Sequence, residues 1–278
     1  MFIFRAFSFV ILITVFLIAI LWQSKWAWLA FSAIGTVAAF MVVCEMLTML
    51  YKAGRSSYKI FSAIAAAATV LLIFLRIPLE KVVLVPTFYV MALWIYMLIS
   101  REREKVLPKV ITSTGGTLMA LIPLCFLAAI YVKGEGSTYE GRYLLLYLVL
   151  VTKTGDTFAY ITGMLSNKIL KGGNHKIVPN ISPKKSWEGA VGGMIFSIII
   201  SYVLSLTVLH DSSLAKPLIA GIILFWGGFY GDLAESSVKR ACGVKDSGAI
   251  IPGMGGAYDV LDSLMFNAPL FFAYMLLV

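Results

Sequence analysis

Apolar residues fall in long runs separated by short polar stretches, at 6–22, 26–51, 60–79, 82–100, 110–132, 143–165, 189–209, 217–231 and 257–278. Each run except the eighth is near or above the roughly 17 residues a helix needs to cross the bilayer. The eighth reaches that length only by continuing past Gly231 into a polar stretch. Barrel strands would be about 10 residues long and would alternate in polarity, and these runs do neither. The pattern predicts an all-α, polytopic integral membrane protein with about nine transmembrane helices. The first run follows Arg5 and superficially resembles a signal peptide. Its apolar part is long, however, and Trp22, Gln23 and Ser24 offer no small-x-small cleavage site, so a retained first helix is expected.

Composition agrees with the pattern. Hydrophobic residues make up 60% of the 278 and charged residues 13%, about half the charged fraction of soluble domains. Lys and Arg are unevenly shared between the loops. Those after runs two, four, six and eight hold fifteen, and those after runs one, three, five and seven hold six, Arg76 at the end of run three included. This alternation puts the N-terminus and the basic loops 101–109, 166–188 and 239–248 on the cytoplasmic side. Inside-positive loops and contact with anionic membrane lipids account for the net charge of +9, and no nucleic-acid partner is expected. Cys44, Cys125 and Cys242 are isolated, as are His175 and His210, so neither a zinc site nor a disulfide framework is implied.

Two regions differ in character. Residues 1–142 form an N-terminal transmembrane region in which Glu45 alone is ionisable well inside a run. Residues 143–278 form a region in which polar groups enter the runs themselves. No Pro-, Gly- or Ser-rich linker separates the two, so they are not expected to fold independently.

Four polar groups carry candidate chemistry. Within the sixth run, Thr152, Asp156, Tyr160 and Gly163 share one helical face. A carboxylate in a bilayer is costly and usually faces a polar cavity or a cation, although an internal pair with Lys153 would also satisfy Asp156. The loop 166–188 brings Lys168, Lys171, His175 and Lys176, then Ser182, Pro183, Lys184, Lys185, Ser186, Trp187, Glu188 and Gly189. Ser182 before Pro183 reads as a helix N-cap, which would set Lys184 and Lys185 in a first turn where the dipole disfavours cations unless an anion binds there. Asn180-Ile181-Ser182 matches a glycosylation sequon but falls on the cytoplasmic side and precedes proline, so it is set aside. Asp232, Glu235, Ser236, Lys239 and Arg240 form a polar stripe where the eighth run leaves the membrane. Finally, Lys245, Asp246, Gly255 and Gly256 precede Asp259 and Asp262, one turn apart at the start of the last run. Two unpaired carboxylates so placed would repel, and a divalent cation would remove that cost. Oxygen-only ligands favour Mg²⁺ over zinc.

The inventory of carboxylates, lysines, an arginine, glycines and serines, without a Cys or His suited to a nucleophilic triad, suits phosphoryl or nucleotidyl transfer. The segment Ser236 to Asp262 resembles the signature of phosphatidate cytidylyltransferases. Agreement is seen at Ser236, Val238, Lys239, Arg240, Lys245, Asp246, Gly248, Ile251, Pro252, Gly255, Gly256, Asp259, Leu261 and Asp262. Met254 stands where the family has His, Ala257 where it has a larger apolar residue, and Val260 where it has Arg. Residues 154–160 and 182–189 are similar to other family segments, so the resemblance covers about the C-terminal half of the chain.

That resemblance implies an enzyme of the bacterial cytoplasmic membrane that converts CTP and phosphatidate to CDP-diacylglycerol and diphosphate, with a cytoplasmic-side active site. Asp232, Asp259, Asp262 and Asp156 would hold Mg²⁺, as one or two cations. Lys239, Arg240, Lys245 and Asp246 would be catalytic. Ser182, Lys184, Lys185, Ser236, Gly255 and Gly256 would bind substrate. A homodimer is left open. So are a CTP-dependent lipid-alcohol kinase, a cytidylyltransferase for another lipid phosphate and, from another class, a transporter.

Overall fold

The computed structural model describes residues 2–22, 24–133, 140–170, 172–179 and 181–278, the side chains of residues 2–9 and 12 apart. Gln23, Lys171 and Asn180, singled out in the sequence, lie outside the described residues. Among the described residues the chain forms ten helices and one two-stranded hairpin. It divides into two compact units, one of residues 1–132 with 239–261, the other of residues 133–238 with 262–278.

The first unit contains α1 (Phe2–Leu21), α2 (Lys25–Lys52), α3 (Lys59–Phe74), α4 (Leu79–Val82), α5 (Leu84–Ile99) and α6 (Arg103–Val132). Ser24 caps α2 by accepting from Trp26 N. Small residues let these helices approach closely, as membrane helices do when no hydrophobic effect drives them together. A Cβ on Gly116 of α6 would lie 2.7 Å from Leu47 of α2, and one on Gly35 would lie 2.6 Å from Phe74. Buried hydroxyls supply the polar contacts, with Ser62 of α3 2.7 Å from Tyr89 of α5, itself 3.3 Å from Thr117 of α6.

The second unit contains α7 (Gly141–Ile169), the hairpin β1 (Lys176–Val178) with β2 (Ser182–Ser186), and α8 (Trp187–Thr207). It also holds α9 (Ala215–Ala241) as far as Val238 and α10 (Ala257–Leu277) from Asp262 onward. α7 and α8 meet along a seam of small residues. A Cβ on Gly189 would fall 2.6 Å from Ala159 O, and one on Gly193 would fall 2.7 Å from Gly155 O. Fully buried Asn267 of α10 donates to Thr152 of α7 and to Leu224 O of α9, 2.7 Å each, and so ties three helices together.

Every predicted run is helical, and the eighth does continue past Gly231, to Ala241. Among the described residues seven helices are long and apolar enough to cross a membrane. α3, with 16 residues, is shorter than those, because the chain turns out of it at Leu75–Arg76, where Arg76 takes a φ of 56°. The fourth run has a one-residue break at Val83 between α4 and α5 and still counts as one of the seven, Leu79–Ile99. The fold is nevertheless the all-α polytopic membrane protein the pattern predicts.

The Ser182 N-cap is corrected. Residues 182–186 are a strand paired antiparallel with β1, so Lys184 and Lys185 lie in an extended segment and not in a helical first turn. The cap of α8 is Ser186, whose Oγ accepts from Gly189 N. The extended conformation that Pro183 favours at Ser182 before it is met by the hairpin, and the pairing partner is too far off for a local reading to weigh.

Candidate functional site

In the second unit, three helices bring carboxylates together. Ligand oxygens of Asp232 and Glu235 on α9 and of Asp262 on α10 lie within 4.8 Å of one another. The helices can approach because Gly231 leaves no side chain between them; a Cβ there would meet Phe266 at 2.6 Å and Asp262 O at 3.3 Å. Glu235 is buried, whereas Asp232 is about one-third exposed. Asp156 of α7 joins through Ser263, whose hydroxyl donates to Asp156 Oδ2 at 2.9 Å.

Two lysines complete the cluster. Lys153 Nζ lies 2.8 Å from Ser263 Oγ, 3.3 Å from Asp262 Oδ1 and 3.7 Å from Asp156 Oδ2. The internal Lys153–Asp156 pair weighed in the sequence is therefore present, and Lys153 also reaches across to α10. Lys185 Nζ lies 2.7 Å from Asp232 Oδ2, donates to Phe229 O at 2.8 Å and stands 4.0 Å above the Phe229 ring. Thus β2 delivers one lysine inward while Lys184, next along the strand, is exposed. With all groups ionised, four carboxylates against two ammonium groups leave two negative charges, the charge of one divalent cation. The all-oxygen donor set suits Mg²⁺. The residues present fit such an ion.

In the first unit, the loop before α10 is wrapped around two carboxylates. Asp259 receives Lys239 Nζ at 2.9 Å, Ser247 N at 3.0 Å and Gly256 N at 2.8 Å. The last of these is a capping-box bond, from a residue in the first turn of α10 back to the N-cap amide. Gly255 has a φ of +101°, and a Cβ there would fall 2.2 Å from Asp259 Oδ2. Glu45 of α2, buried at 5% exposure, accepts from Ser247 Oγ at 2.9 Å, Ala257 N at 3.0 Å and Tyr258 N at 2.9 Å. Between them, Asp259 and Glu45 satisfy amide groups that a helix start leaves without intrahelical partners.

This arrangement corrects one step of the sequence reading. Asp259 and Asp262 are not an unpaired, mutually repelling couple, because each has its own lysine. Asp262 is brought together with Asp232 and, through Ser263, with Asp156; Asp259 is held instead by Lys239 and loop amides. Glu235 was visible as i+3 from Asp232 but was read only as part of a polar stripe. Ser182 and Ser236 are half-buried, and Arg240, Lys245 and Asp246 are exposed. Tyr160, expected on the Asp156 face, is 60% exposed. His175 Nδ1, just before β1, lies 2.6 Å from Glu188 Oε1 in the first turn of α8.

Comparison with known proteins adds the following. Residues 3–278 match the profile of the cytidylyltransferase family. A phosphatidate cytidylyltransferase of Staphylococcus saprophyticus is 45% identical over 152 residues, 52% of this chain and 56% of that protein. One of Haemophilus influenzae is 36% identical over 140 residues, 49% and 46% of the two chains. An uncharacterized protein of Escherichia coli is 35% identical over 160 residues, 58% and 51%. The match thus spans about half the length of these relatives. Seven apolar helices and relatives of this kind make the chain a multi-pass protein of the bacterial inner membrane.

Proposed function

This chain belongs to the cytidylyltransferase family, and from that premise we propose that it transfers the cytidylyl group of CTP to phosphatidate, giving CDP-diacylglycerol and diphosphate. The observation that carries this reading is the Asp232–Glu235–Asp262 cluster with its two lysines, set among membrane helices where a lipid phosphate can be held. Phosphatidate is the lipid named for the relatives from Staphylococcus and Haemophilus.

Asp232, Glu235 and Asp262 would hold Mg²⁺, with Asp156 in support through Ser263. When bound, the ion would neutralise charge on the triphosphate. An oxygen of the lipid phosphate attacks the α-phosphorus of CTP in line; the new P–O bond forms as the bond to the diphosphate oxygen breaks, and diphosphate leaves. Lys153 and Lys185, already oriented by carboxylates, counter the charge gathered between the two anionic substrates. Nucleophile and leaving group are both anionic oxygens, so no general base is needed, and Met254 in place of a histidine costs the chemistry nothing. On the family resemblance, Lys239, Arg240, Lys245 and Asp246 would be catalytic, and Ser182, Lys184, Ser236, Gly255 and Gly256 would bind CTP and lipid.

The test is diphosphate release by the purified chain with CTP and Mg²⁺. Release that requires phosphatidate supports the reading. Release of CDP with a lipid alcohol as acceptor would replace it with a kinase.

A further inference from the structure

The first unit holds a cavity of ≈ 780 Å³ that the proposed chemistry does not use. It lies where the turn between α2 and α3, the end of α5 and the start of α6 come together, and it is lined by Arg55, Arg101, Lys105 and Lys109 among others. The carboxylate in its lining is Glu102, and Lys105 stands 3.2 Å from it. Tyr58 and Tyr96 form a second wall, their ring centroids 5.4 Å apart, with Lys109 Nζ 5.6 Å over the Tyr58 ring. Val106, Leu107 and Ile111 carry the lining along α6 toward the apolar part of the helix.

Loop charge alone would make these segments basic, because both are on the side that the Lys and Arg count assigns to the cytoplasm. It does not require cations from two separate stretches of chain to line one cavity. Four cations around a shared space repel one another, and one carboxylate offsets a quarter of their charge. An anion in the cavity would remove that repulsion. A phenol pair beside cations at the end of apolar helices is also the composition of a membrane–water interface, where aromatic rings sit at headgroup depth. Basic pockets of this kind between membrane helices take lipid headgroups.

We infer that this cavity binds the phosphate of an anionic lipid headgroup, with the acyl chains running down the apolar face of α6. The site is built wholly from residues 54–112, and it stands or falls separately from the cytidylyl-transfer reading. Its occupant differs from a free phosphate ion in having a tail, so affinity requires both charge and acyl chain.

The test titrates the purified chain, in a neutral detergent, with dioctanoyl phosphatidylglycerol, dioctanoyl phosphatidylcholine and inorganic phosphate, counting bound lipid by native mass spectrometry. Phosphatidylglycerol is expected to bind at least about 10-fold more tightly than phosphatidylcholine. Arg55→Ala with Lys105→Ala should weaken it about 10-fold or more, from roughly 1 kcal/mol per cation near a membrane surface. Both side chains are exposed, so folding is not at stake. The charge-keeping Arg55→Lys with Lys105→Arg should retain binding, and so should Lys185→Ala, which alters the acid cluster and not the cavity. Equal affinity in the alanine variant and the parent would overturn the site, as would loss in the charge-keeping variant. Loss in Lys185→Ala alone would move the lipid to the acid cluster. Displacement of the lipid by inorganic phosphate at comparable concentration would make the cavity a free-anion site and overturn the lipid assignment.

Discussion

Glu45 gives the sharpest test of how the loop before α10 is held. Its two oxygens take three donors, Ala257 N on one and Ser247 Oγ with Tyr258 N on the other. In Glu45→Gln one oxygen becomes an NH₂ group. Whichever way the amide turns, that group faces the amide N–H of Ala257 or of Tyr258, so at least one buried donor loses its acceptor. An unsatisfied buried donor costs about 1–3 kcal/mol. At ~2 kcal/mol, local opening of the loop becomes about 30-fold more frequent, since 1.4 kcal/mol corresponds to a factor of ten. Hydrogen exchange of peptides covering 245–258 should accelerate by about that factor, while peptides in α7 and α8 are unchanged. Glu45→Ala should exceed it, because three donors are orphaned together. Exchange in 245–258 within about threefold of the parent, in both variants, would show that Glu45 does not secure the loop.

Three further outcomes follow from the same geometry. Asp232→Asn, Glu235→Gln or Asp262→Asn should each lower turnover at least about 100-fold with folding retained, and full activity in EDTA without added divalent cation would refute the metal assignment. Gly256→Ala places a Cβ 2.3 Å from both Glu45 Oε2 and Ser247 Oγ and should destabilise the protein by about 1–3 kcal/mol, whereas Gly115→Ala, with nothing within 4 Å, should not, as thermal unfolding would report. A cysteine placed in loop 166–188 should be labelled only from the cytoplasmic side and one near Asp211 only from outside; reversed labelling would contradict the charge count.

The helices were legible because membrane spans are written locally, as runs of apolar residues, and the eighth run even showed its polar continuation. Asp156 and Asp262 stood out because carboxylates within such runs are costly, and Asp232 because it opens the polar stripe beyond Gly231. What was not legible depends on partners far apart in the chain. Ser182–Pro183 looks like a helix start until Lys176–Val178 is found alongside it. Asp259 looks unpaired until Lys239, twenty residues away, is seen at 2.9 Å. Glu45 appeared as a lone ionisable group because its partners lie 202 to 213 residues further on. Glu235 was overlooked for a different reason, since a polar stripe of both signs is also what a solvated helix would present.

The central claim is the transfer of a cytidylyl group to a lipid phosphate. The most direct measurement supplies the purified chain with Mg²⁺, phosphatidate and CTP labelled in parallel reactions at the α- or γ-phosphorus. The account predicts that the α-label enters the lipid phase, with one diphosphate released per lipid formed, and that the γ-label stays in water. A γ-label in the lipid phase, or no label there from either position, would contradict it.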